Sequence, residues 1–395
     1  MNILFDENIP YGLDAFSSLG NAKSIAGREI SPADLKDIDI LFVRSVTKVN
    51  EALLKDSSVK FVATATSGSD HIDKEFLKKN NIGFSDAIGS NANSVAEYFI
   101  ASLLEISERH NFSLEGKTVG IIGVGHVGSL VEKKARAIGI IPVLNDPPRQ
   151  RAEKDFDGCS LDEALKADIV TFHVPLTKDG PDPTFHLLDK KALQKMNCGA
   201  VLVQASRGAV HDTTALKKAI KEKKLLCAID VWENEPNIDI DLLELTEIAS
   251  PHIAGYSWTS KVFATQIIYE AACEFFNKNT VWIPPELPPD FSAPEINPTF
   301  LMKHPEYSLG KGDTGGFKKL SAIKCSVNSV YNIIEDDERM RKIVDETPEN
   351  RGKYFDSLRK KYPVRVEFHQ AKVNNPPEEI KKQLAGLGFV IHQSD

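Results

Sequence analysis

Short apolar runs alternate with helical patterns along the first part of the chain. Three such runs, bounded by polar or turn residues, lie within the first ninety residues: Asn2–Phe5, Ile40–Val43 and Phe61–Ala63. Runs of this length and composition are typical of strands buried in a parallel sheet. Between the first two, Ser31 followed by Pro32 predicts a helix start, with serine as the cap and proline in the first position.

A long helix is predicted from about Ser94. Apolar residues recur there at spacings of three and four, which places them on one face of a helix. They are Val95, Phe99, Leu103 and Ile106. We expect this helix to connect two domains.

The chain beyond this helix is a second α/β series. Six further strands are predicted at Thr118–Ile122, Ile141–Leu144, Ile169–Val174, Ala200–Gln204, Cys227–Val231 and Ile248–Ala249. Segments rich in Ala, Lys and Glu separate them. This alternation predicts a parallel sheet covered by helices on both faces.

The sequence changes character between residues 284 and 298, where six prolines indicate an extended linker. Beyond it we predict a helix over 322–334, a strand at Val364–Phe368, a helix near Pro377–Ala385 and a strand at Phe389–Ile391. In the strand at Val364–Phe368, alternation would place the apolar residues on one face and Arg365 and Glu367 on the other.

These elements predict an α/β protein with two Rossmann-like, doubly wound parallel-sheet domains and a smaller α+β domain at the C-terminus. The total of 395 residues fits two or three domains. We place the first domain at residues 1–93 with 258–283, the second at 94–257, the proline-rich linker at 284–298 and the third domain at 299–395.

Composition narrows the functional class. With 42% hydrophobic and 26% charged residues the chain is typical of a globular protein, and its net charge of −8 argues against a nucleic-acid partner. No signal peptide and no apolar run of about 18 residues is seen, so we expect no membrane partner. The cysteines are scattered, which argues against disulfides and against a metal site, and favours the cytoplasm. They are Cys159, Cys198, Cys227, Cys273 and Cys325.

A glycine motif, G-x-G-x-x-G, stands between the predicted strand at Thr118–Ile122 and a predicted helix at Ser129–Ile138. It consists of Gly123, Val124, Gly125, His126, Val127 and Gly128. In this setting the first glycine permits a tight turn, the second admits a pyrophosphate and the third lets helix and strand pack closely. The free N–H groups at the helix start complete a dinucleotide site.

Asp146 follows the next predicted strand, 23 residues after Gly123. A carboxylate there accepts hydrogen bonds from the adenosine ribose and repels a 2′-phosphate, so NAD is the predicted cofactor. The nearby Arg149 argues in the other direction, because arginine can accommodate that phosphate.

Three charged residues each follow a predicted strand: Arg207, Glu235 and His252. In open parallel sheets, ligands bind beyond the carboxyl ends of the strands. Oxidation of a 2-hydroxy acid needs a base for the hydroxyl proton, and histidine titrates in the right range. A carboxylate can orient its ring, and arginine can bind the substrate carboxylate with two hydrogen bonds.

The combination resembles the D-2-hydroxyacid dehydrogenase family over roughly residues 1–283, and the segment from Asn93 to Glu97 resembles its hinge helix. The resemblance implies that Arg207, Glu235 and His252 are catalytic. It also implies that Asp230 contacts the nicotinamide carboxamide and that Ser206 and Gly255 bind the nucleotide.

Segments 63–73, 176–181 and 252–257, together with the C-terminal extension, resemble one branch of this family. That branch oxidises a four-carbon phosphorylated 2-hydroxy acid and forms a homodimer through its C-terminal domain. By position, Ser45, Thr66 and Tyr256 would contact the substrate. Arg44, beside Ser45 at a strand end, is predicted to hold the phosphate, with a surface ion pair as the alternative.

Two other functions remain open at this point. Phosphoglycerate dehydrogenase, or another D-2-hydroxyacid dehydrogenase, would share the catalytic residues and differ in its pocket and C-terminal domain. An NAD-sensing interaction protein on the same fold could also retain them. Turnover and a search for partners would separate the two classes.

Overall fold

The computed structural model describes residues 1–288, 291–298 and 315–393, with side chains omitted at 315–318. The chain divides into two units. Unit 1 comprises Met1–Asn91 with Ser257–Phe291, and unit 2 comprises Ala92–Tyr256 with Ser292–Asp395.

Unit 1 is built on a five-stranded parallel sheet of order β2-β1-β3-β4-β5. Its strands are β1 (Asn2–Asp6), β2 (Asn21–Ile25), β3 (Ile40–Val43), β4 (Phe61–Thr64) and β5 (Gly83–Asp86). Its helices are α1 (Gly12–Phe16), α2 (Glu51–Leu54), α3 (Lys74–Lys79) and, after the excursion into unit 2, α11 (Trp258–Phe275). Ile268 and Tyr269 of α11 are fully buried against Phe42 and Phe61 of the sheet, so the returning helix completes the core of this unit.

Unit 2 is built on a six-stranded parallel sheet of order β11-β10-β9-β8-β6-β7. Its strands are β6 (Thr118–Ile122), β7 (Ile141–Asn145), β8 (Ile169–Phe172), β9 (Val201–Gln204), β10 (Leu226–Ile229) and β11 (Ile248–Ala249). Its helices up to β11 are α4 (Ala92–Arg109), α5 (His126–Ala137), α6 (Pro147–Ala152), α7 (Leu161–Ala164), α8 (Lys190–Lys195), α9 (Thr213–Lys223) and α10 (Ile240–Leu245). The strand order reverses between β6 and β8, and such a switch point is where doubly wound folds bind their ligands.

The long helix α4 confirms the prediction of a helix near Ser94. Fifteen of its eighteen residues are buried. A helix that is buried almost all round belongs to the interior of a unit. Helix α5 packs against one part of it and the C-terminal part of the chain against another.

The C-terminal part of unit 2 carries a small parallel sheet of order β12-β13-β14. Its strands are β12 (Glu295–Ile296), β13 (Lys372–Asn374) and β14 (Val390–His392), and its helices are α12 (Gly315–Asn328), α13 (Ile333–Arg341), α14 (Pro348–Lys360) and α15 (Glu378–Leu387). Leu384, Leu387 and Phe368 are fully buried in the same cluster as α4 and α5. This region therefore shares a hydrophobic core with the six-stranded sheet.

The predicted strand at Val364–Phe368 is wrong. Residues 362–367 form no regular element, and Phe368–Gln370 is a turn of 3-10 helix. Arg365 and Glu367, expected on the face opposite the apolar residues, are 5% and 3% exposed, whereas Val364 is 60% exposed. The two charges are buried because side chains and backbone groups of α4 bind them, which overrides the alternation of a strand.

The helix predicted over 322–334 is two helices. Helix α12 ends at Asn328, and α13 begins at Ile333 after Asn332, whose side chain accepts a hydrogen bond from the backbone N–H of Ile334 at 3.3 Å. Asparagine competes for backbone hydrogen bonds in this way, which favours a cap over a helix interior.

Candidate active site

The glycine motif forms the turn between β6 and α5. Gly123 has φ 87°, and a Cβ there would lie 2.7 Å from the carbonyl oxygen of His173. A Cβ on Gly128 would lie 2.1 Å from the carbonyl oxygen of Gly123, so helix and strand meet closely. A Cβ on Gly125 would meet no atom within 4 Å, which leaves space in front of the helix that begins at His126. This geometry fits a dinucleotide pyrophosphate.

Asp146 follows β7 and is 9% exposed. Its Oδ2 accepts a hydrogen bond from the N–H of Val124 at 2.8 Å, and its Oδ1 accepts one from the N–H of Arg149 at 3.0 Å. The carboxylate thus connects the glycine turn to the end of β7. Each oxygen retains acceptor capacity for a ribose hydroxyl.

Arg149, which argued against NAD in the sequence, has other partners. Its guanidinium forms an ion pair with Glu153, donates to the carbonyl oxygen of Val124 at 2.8 Å and lies over the ring of Phe156 at 4.4 Å. A guanidinium already bound in this way is poorly placed for a 2′-phosphate. The residues around the turn therefore fit NAD.

His252 and Glu235 form a direct pair at the carboxyl ends of β10 and β11. The Nδ1 atom of His252 lies 2.7 Å from Oε2 of Glu235, and Oε1 of Glu235 accepts a hydrogen bond from the N–H of Trp232 at 2.7 Å. Burial raises the pKa of Glu235, but the charge and hydrogen bond of His252, the backbone hydrogen bond from Trp232 and the charge of Arg359 together outweigh it, and the net effect is a lowered pKa. Glu235 is thus held as a carboxylate that orients the imidazole ring.

Asp230 organises the loop that carries His252. It is 1% exposed, and its carboxylate accepts hydrogen bonds from the Ser250 hydroxyl at 2.6 Å and from the N–H groups of Ile253 at 2.8 Å and Ala254 at 3.0 Å. His252 itself has φ 57°, in the left-handed region that a non-glycine residue adopts only when its surroundings impose it. Burial raises the pKa of Asp230 despite these contacts. Sequence reasoning missed this role in shaping the loop, and the predicted contact with the nicotinamide carboxamide stays a prediction.

Arg207 belongs to the loop after β9. Its Nη1 donates to the carbonyl oxygen of Ser206 at 2.8 Å, and the Ser206 hydroxyl donates to Oε1 of Gln204 at 2.8 Å. A Cβ on Gly208 would lie 2.0 Å from the carbonyl oxygen of Trp232, so this loop lies directly against the one that leads to Glu235. The structure therefore brings the loops of all three predicted catalytic residues to one edge of the unit 2 sheet.

Tyr256 follows Gly255 at the end of the same catalytic segment. Its N–H donates to the carbonyl oxygen of Ile253 at 2.7 Å, and its hydroxyl accepts a hydrogen bond from Nη2 of Arg359 at 3.1 Å. Arg359 comes from α14 and was missed by sequence reasoning. Nothing in a stretch 103 positions further along the chain signals this contact.

The other predicted substrate residues lie at the carboxyl ends of β3 and β4 in unit 1. Arg44 and Ser45 follow β3, and Thr66, after β4, donates its hydroxyl to the carbonyl oxygen of Gly68 at 2.8 Å. Lys261 of α11 belongs to the same region: burial, followed by the charge of Arg44, lowers its pKa to about 8. Lys261 was not predicted, and it adds a second cation near Arg44.

Comparison with known proteins identifies the family. The model for the NAD-binding domain of D-isomer specific 2-hydroxyacid dehydrogenases matches residues 98–254. Erythronate-4-phosphate dehydrogenase of Escherichia fergusonii is 43% identical over 391 residues, 98% of each chain, and that of Shigella dysenteriae serotype 1 is 43% identical over 392 residues. The chain belongs to the erythronate-4-phosphate dehydrogenase family of the D-2-hydroxyacid dehydrogenases. This confirms the predicted fold class, the class of enzyme and NAD as cofactor.

Solved structures match a smaller part of the chain. D-lactate dehydrogenase from Aquifex aeolicus, complexed with NAD and lactic acid, is 28% identical with a TM-score of 0.59, and the match covers 70% of this chain and 96% of that one. An NAD-bound 3-phosphoglycerate dehydrogenase from Entamoeba histolytica has a TM-score of 0.61 at 23% identity, over 73% of this chain and 99% of that one, and shows the fold alone. Residues 309–388 match a separate family described as a domain of unknown function, DUF3410.

Three further observations concern metal binding, membrane spans and cysteines. Among the described residues, no group of three or more His, Cys, Asp or Glu side chains is arranged to hold a metal ion. No helix in those same ranges has the length and apolar character needed to cross a bilayer. All five cysteines are free thiols.

Proposed function

We propose that the chain oxidises 4-phospho-D-erythronate to 2-oxo-3-hydroxy-4-phosphobutanoate, with NAD as the hydride acceptor. The observation that carries this proposal is the His252–Glu235 pair, 2.7 Å apart beside the Arg207 loop at the edge where ligands of this fold bind. The 43% identity to erythronate-4-phosphate dehydrogenases over nearly the whole chain supports the substrate.

His252 is the general base. With Nδ1 bound to Glu235, the ring carries its proton there, and Nε2 accepts the proton of the C2 hydroxyl. NAD held at the glycine turn and Asp146 would accept the C2 hydrogen as hydride, and the C2–O bond would then become a carbonyl. The imidazolium formed at His252 is stabilised by the Glu235 carboxylate and then releases its proton to solvent.

The remaining residues bind and orient. Arg207 binds the substrate carboxylate and polarises the C2 oxygen, for which the fork of a guanidinium is suited. Arg44, Ser45, Thr66 and Tyr256 bind the rest of the substrate. A further set binds the nucleotide: Gly123, Gly125, His126, Val127, Gly128, Asp146, Ser206, Asp230 and Gly255.

A turnover assay tests the reaction. Purified protein is given NAD with either 4-phospho-D-erythronate or 3-phosphoglycerate, and the 2-oxo product is trapped. We expect a strong preference for the four-carbon substrate that is lost in His252→Ala. A preference for 3-phosphoglycerate would move the enzyme to another branch of the family. NAD binding without turnover of either substrate would reject the reaction and favour an NAD-sensing role.

The biological setting is also a proposal. We infer that the reaction serves the synthesis of pyridoxal 5′-phosphate in the cytoplasm, and that residues 299–395 form a dimerisation domain beside domains at 1–93 with 258–283 and at 94–257, joined by the linker at 284–298. The free cysteines support a reducing compartment.

Light scattering of the full-length protein tests the dimer, with a monomeric mass as the result that rejects it. Val364→Arg changes a 60% exposed apolar side chain of the C-terminal region and should weaken association. Val281→Arg, at a 65% exposed valine of unit 1, is the matched control.

A further inference from the structure

Helix α14 is packed directly onto the catalytic part of unit 2. A Cβ on Gly352 would lie 2.7 Å from Oδ1 of Asn237 and 3.4 Å from Cγ of Pro236, so the helix touches the loop that carries Glu235. Phe355, one turn further on, is fully buried in the same cluster as Trp232 and Leu242. The helix is therefore closely packed beside the His252–Glu235 pair.

Arg359, in the last turn of this helix, reaches the catalytic segment. Its Nη2 donates to the hydroxyl of Tyr256 at 3.1 Å, and its guanidinium lies 5.8 Å from the centre of the Tyr256 ring. Tyr256 is in turn held by the ring of Tyr362, edge-on at 5.9 Å. Two carboxylates influence Arg359 electrostatically, Glu235 and Asp356.

The guanidinium has binding capacity to spare. Its Nε is buried and, among the described residues, has no hydrogen-bond partner. A buried donor without a partner is costly and calls for an explanation such as a ligand. Arginine offers five N–H donors in a planar fork, and in the described structure one of them, at Nη2, has an acceptor.

We propose that Arg359 binds the phosphate of the substrate. This inference rests on the proposed function, because that substrate carries two anionic groups and Arg207 binds only the carboxylate. A second guanidinium beside Tyr256 can bind the phosphate with two hydrogen bonds. The structure that was solved with lactic acid, which has no phosphate, matches 96% of its own chain within 70% of this one. The region of α14 matches a different family model, so Arg359 is an addition to the catalytic fold.

The experiment compares wild type with Arg359→Gln, Arg359→Lys and Lys360→Gln. The last removes the neighbouring, exposed cation of the same helix and is the matched control. We expect Arg359→Gln to raise the KM for 4-phospho-D-erythronate about 10- to 100-fold, because the substrate loses a charge-assisted hydrogen bond. The inhibition constant of inorganic phosphate should rise in parallel, NAD affinity should be unchanged, and Lys360→Gln should behave as wild type.

Arg359→Lys keeps the positive charge but not the planar guanidinium, so its KM should lie between those of wild type and Arg359→Gln. An unchanged KM and unchanged phosphate inhibition in Arg359→Gln would overturn the proposal. So would a fall in kcat with a shifted pH profile at constant KM, since that would make Arg359 a positioning residue acting through Glu235.

Two further results decide the matter if Arg359→Gln does not fold or if wild type does not oxidise the substrate. If Arg359→Gln does not fold, the phosphate inhibition constant of Arg359→Lys decides, with no change counting against the proposal. If wild type does not oxidise 4-phospho-D-erythronate, the proposed function fails by itself. Thermal stabilisation by inorganic phosphate, present in wild type and lost in the Arg359 variants, would still support the binding site, and equal stabilisation in both would reject it.

Discussion

Two clusters of carboxylates and cations in unit 2 use similar residue types in opposite ways. In the first, the side chains of His252 and Glu235 are 34% and 20% exposed. In the second, those of Lys134 and Glu97 are 5% and 0% exposed. The first pair, His252 and Glu235, is accessible to a substrate and can exchange a proton with it, and we call it the open pair. The second pair is shielded from solvent.

We call the buried cluster of Glu97, Lys134, Arg365 and Glu367 the sealed cluster. Its hydrogen bonds join the C-terminal region to α4. Glu367 accepts hydrogen bonds from the Ser94 hydroxyl and the Asn93 amide, both at 2.6 Å. The N–H of Phe368 donates to Oε1 of Glu97 at 2.9 Å, and Arg365 donates to the carbonyl oxygen of Ser94 at 2.7 Å. These bonds join residues about 270 positions apart in the chain.

Burial changes what these charges do. Burial, and next the charge of Glu367, raises the pKa of Glu97 to about 8, while Lys134 and Arg365 oppose the rise. In the open pair, by contrast, the contacts of Glu235, those with His252 first among them, outweigh burial and lower its pKa. The comparison teaches that the environment, more than the residue types, separates a catalytic carboxylate from a structural one.

The largest expected effect is on the open pair. His252→Ala should lower kcat by about 10²- to 10⁴-fold, the usual contribution of a general base, with NAD affinity and unfolding unchanged. Steady-state NADH formation measures it. His110→Ala is the control, because His110 also faces a carboxylate, with its Nε2 3.2 Å from Oε2 of Glu247 on the surface. An equal loss in both variants would contradict the role of His252 as the general base.

A substitution in the sealed cluster should lower the free energy of unfolding. Arg365→Met leaves two buried carboxylates with less compensation and should lower the free energy of unfolding by about 3 to 5 kcal/mol, measured by urea denaturation. Arg136→Met removes a surface pair with Glu132, where the arginine side chain is 58% exposed, and should cost less than about 1 kcal/mol. Similar costs for the two variants would show that the cluster is not sealed in solution.

The smallest and most specific effect concerns pH. Glu97 in the folded state holds its proton up to about pH 8, whereas the unfolded chain releases it near the ordinary value of 4.5. The unfolded state therefore binds fewer protons in this window, and the contribution of Glu97 to stability falls as pH rises from about 4.5 to about 8. Glu97→Gln should remove this fall, so its stability relative to wild type should increase with pH.

Urea denaturation midpoints of both proteins at pH 5, 6.5 and 8 measure the difference. Glu132→Gln on the surface of α5 controls for the removal of a carboxylate. A constant difference between wild type and Glu97→Gln across the series would contradict the raised pKa.

Much of the fold could be predicted because its signals are local. The central strands β3, β6, β8 and β9 read as short apolar runs, since neighbours on both sides bury them. Strand β2 was missed: it lies at an edge of its sheet, and four of its five residues are polar or small. Strand β5 was also missed, being an edge strand in which every residue is partly exposed. These two edge strands lack the apolar run by which β7 and β11, the edge strands of the unit 2 sheet, were predicted.

The residues of the candidate site also divide into those that the sequence predicted and those that it did not. Sequence reasoning could find the glycine turn, Asp146, Arg207, Glu235 and His252 because each begins within six residues after a strand, and the carboxyl ends of parallel strands lie at one edge of the sheet. The loop-shaping role of Asp230 and the approach of Arg359 could not be found, because neither depends on sequence spacing.

The sequence by itself determined most of the strands and helices of the two parallel-sheet units, the nucleotide turn and the residues available for acid–base chemistry. These follow from patterns among chain neighbours: short apolar runs, helix periodicity and the conformational freedom of glycine. Only the tertiary structure decided that Arg365 and Glu367 are buried, that Asp230 shapes the loop of His252 and that Arg359 lies beside Tyr256. Those outcomes depend on which surfaces pack together, and packing between distant segments leaves no periodic trace in either segment.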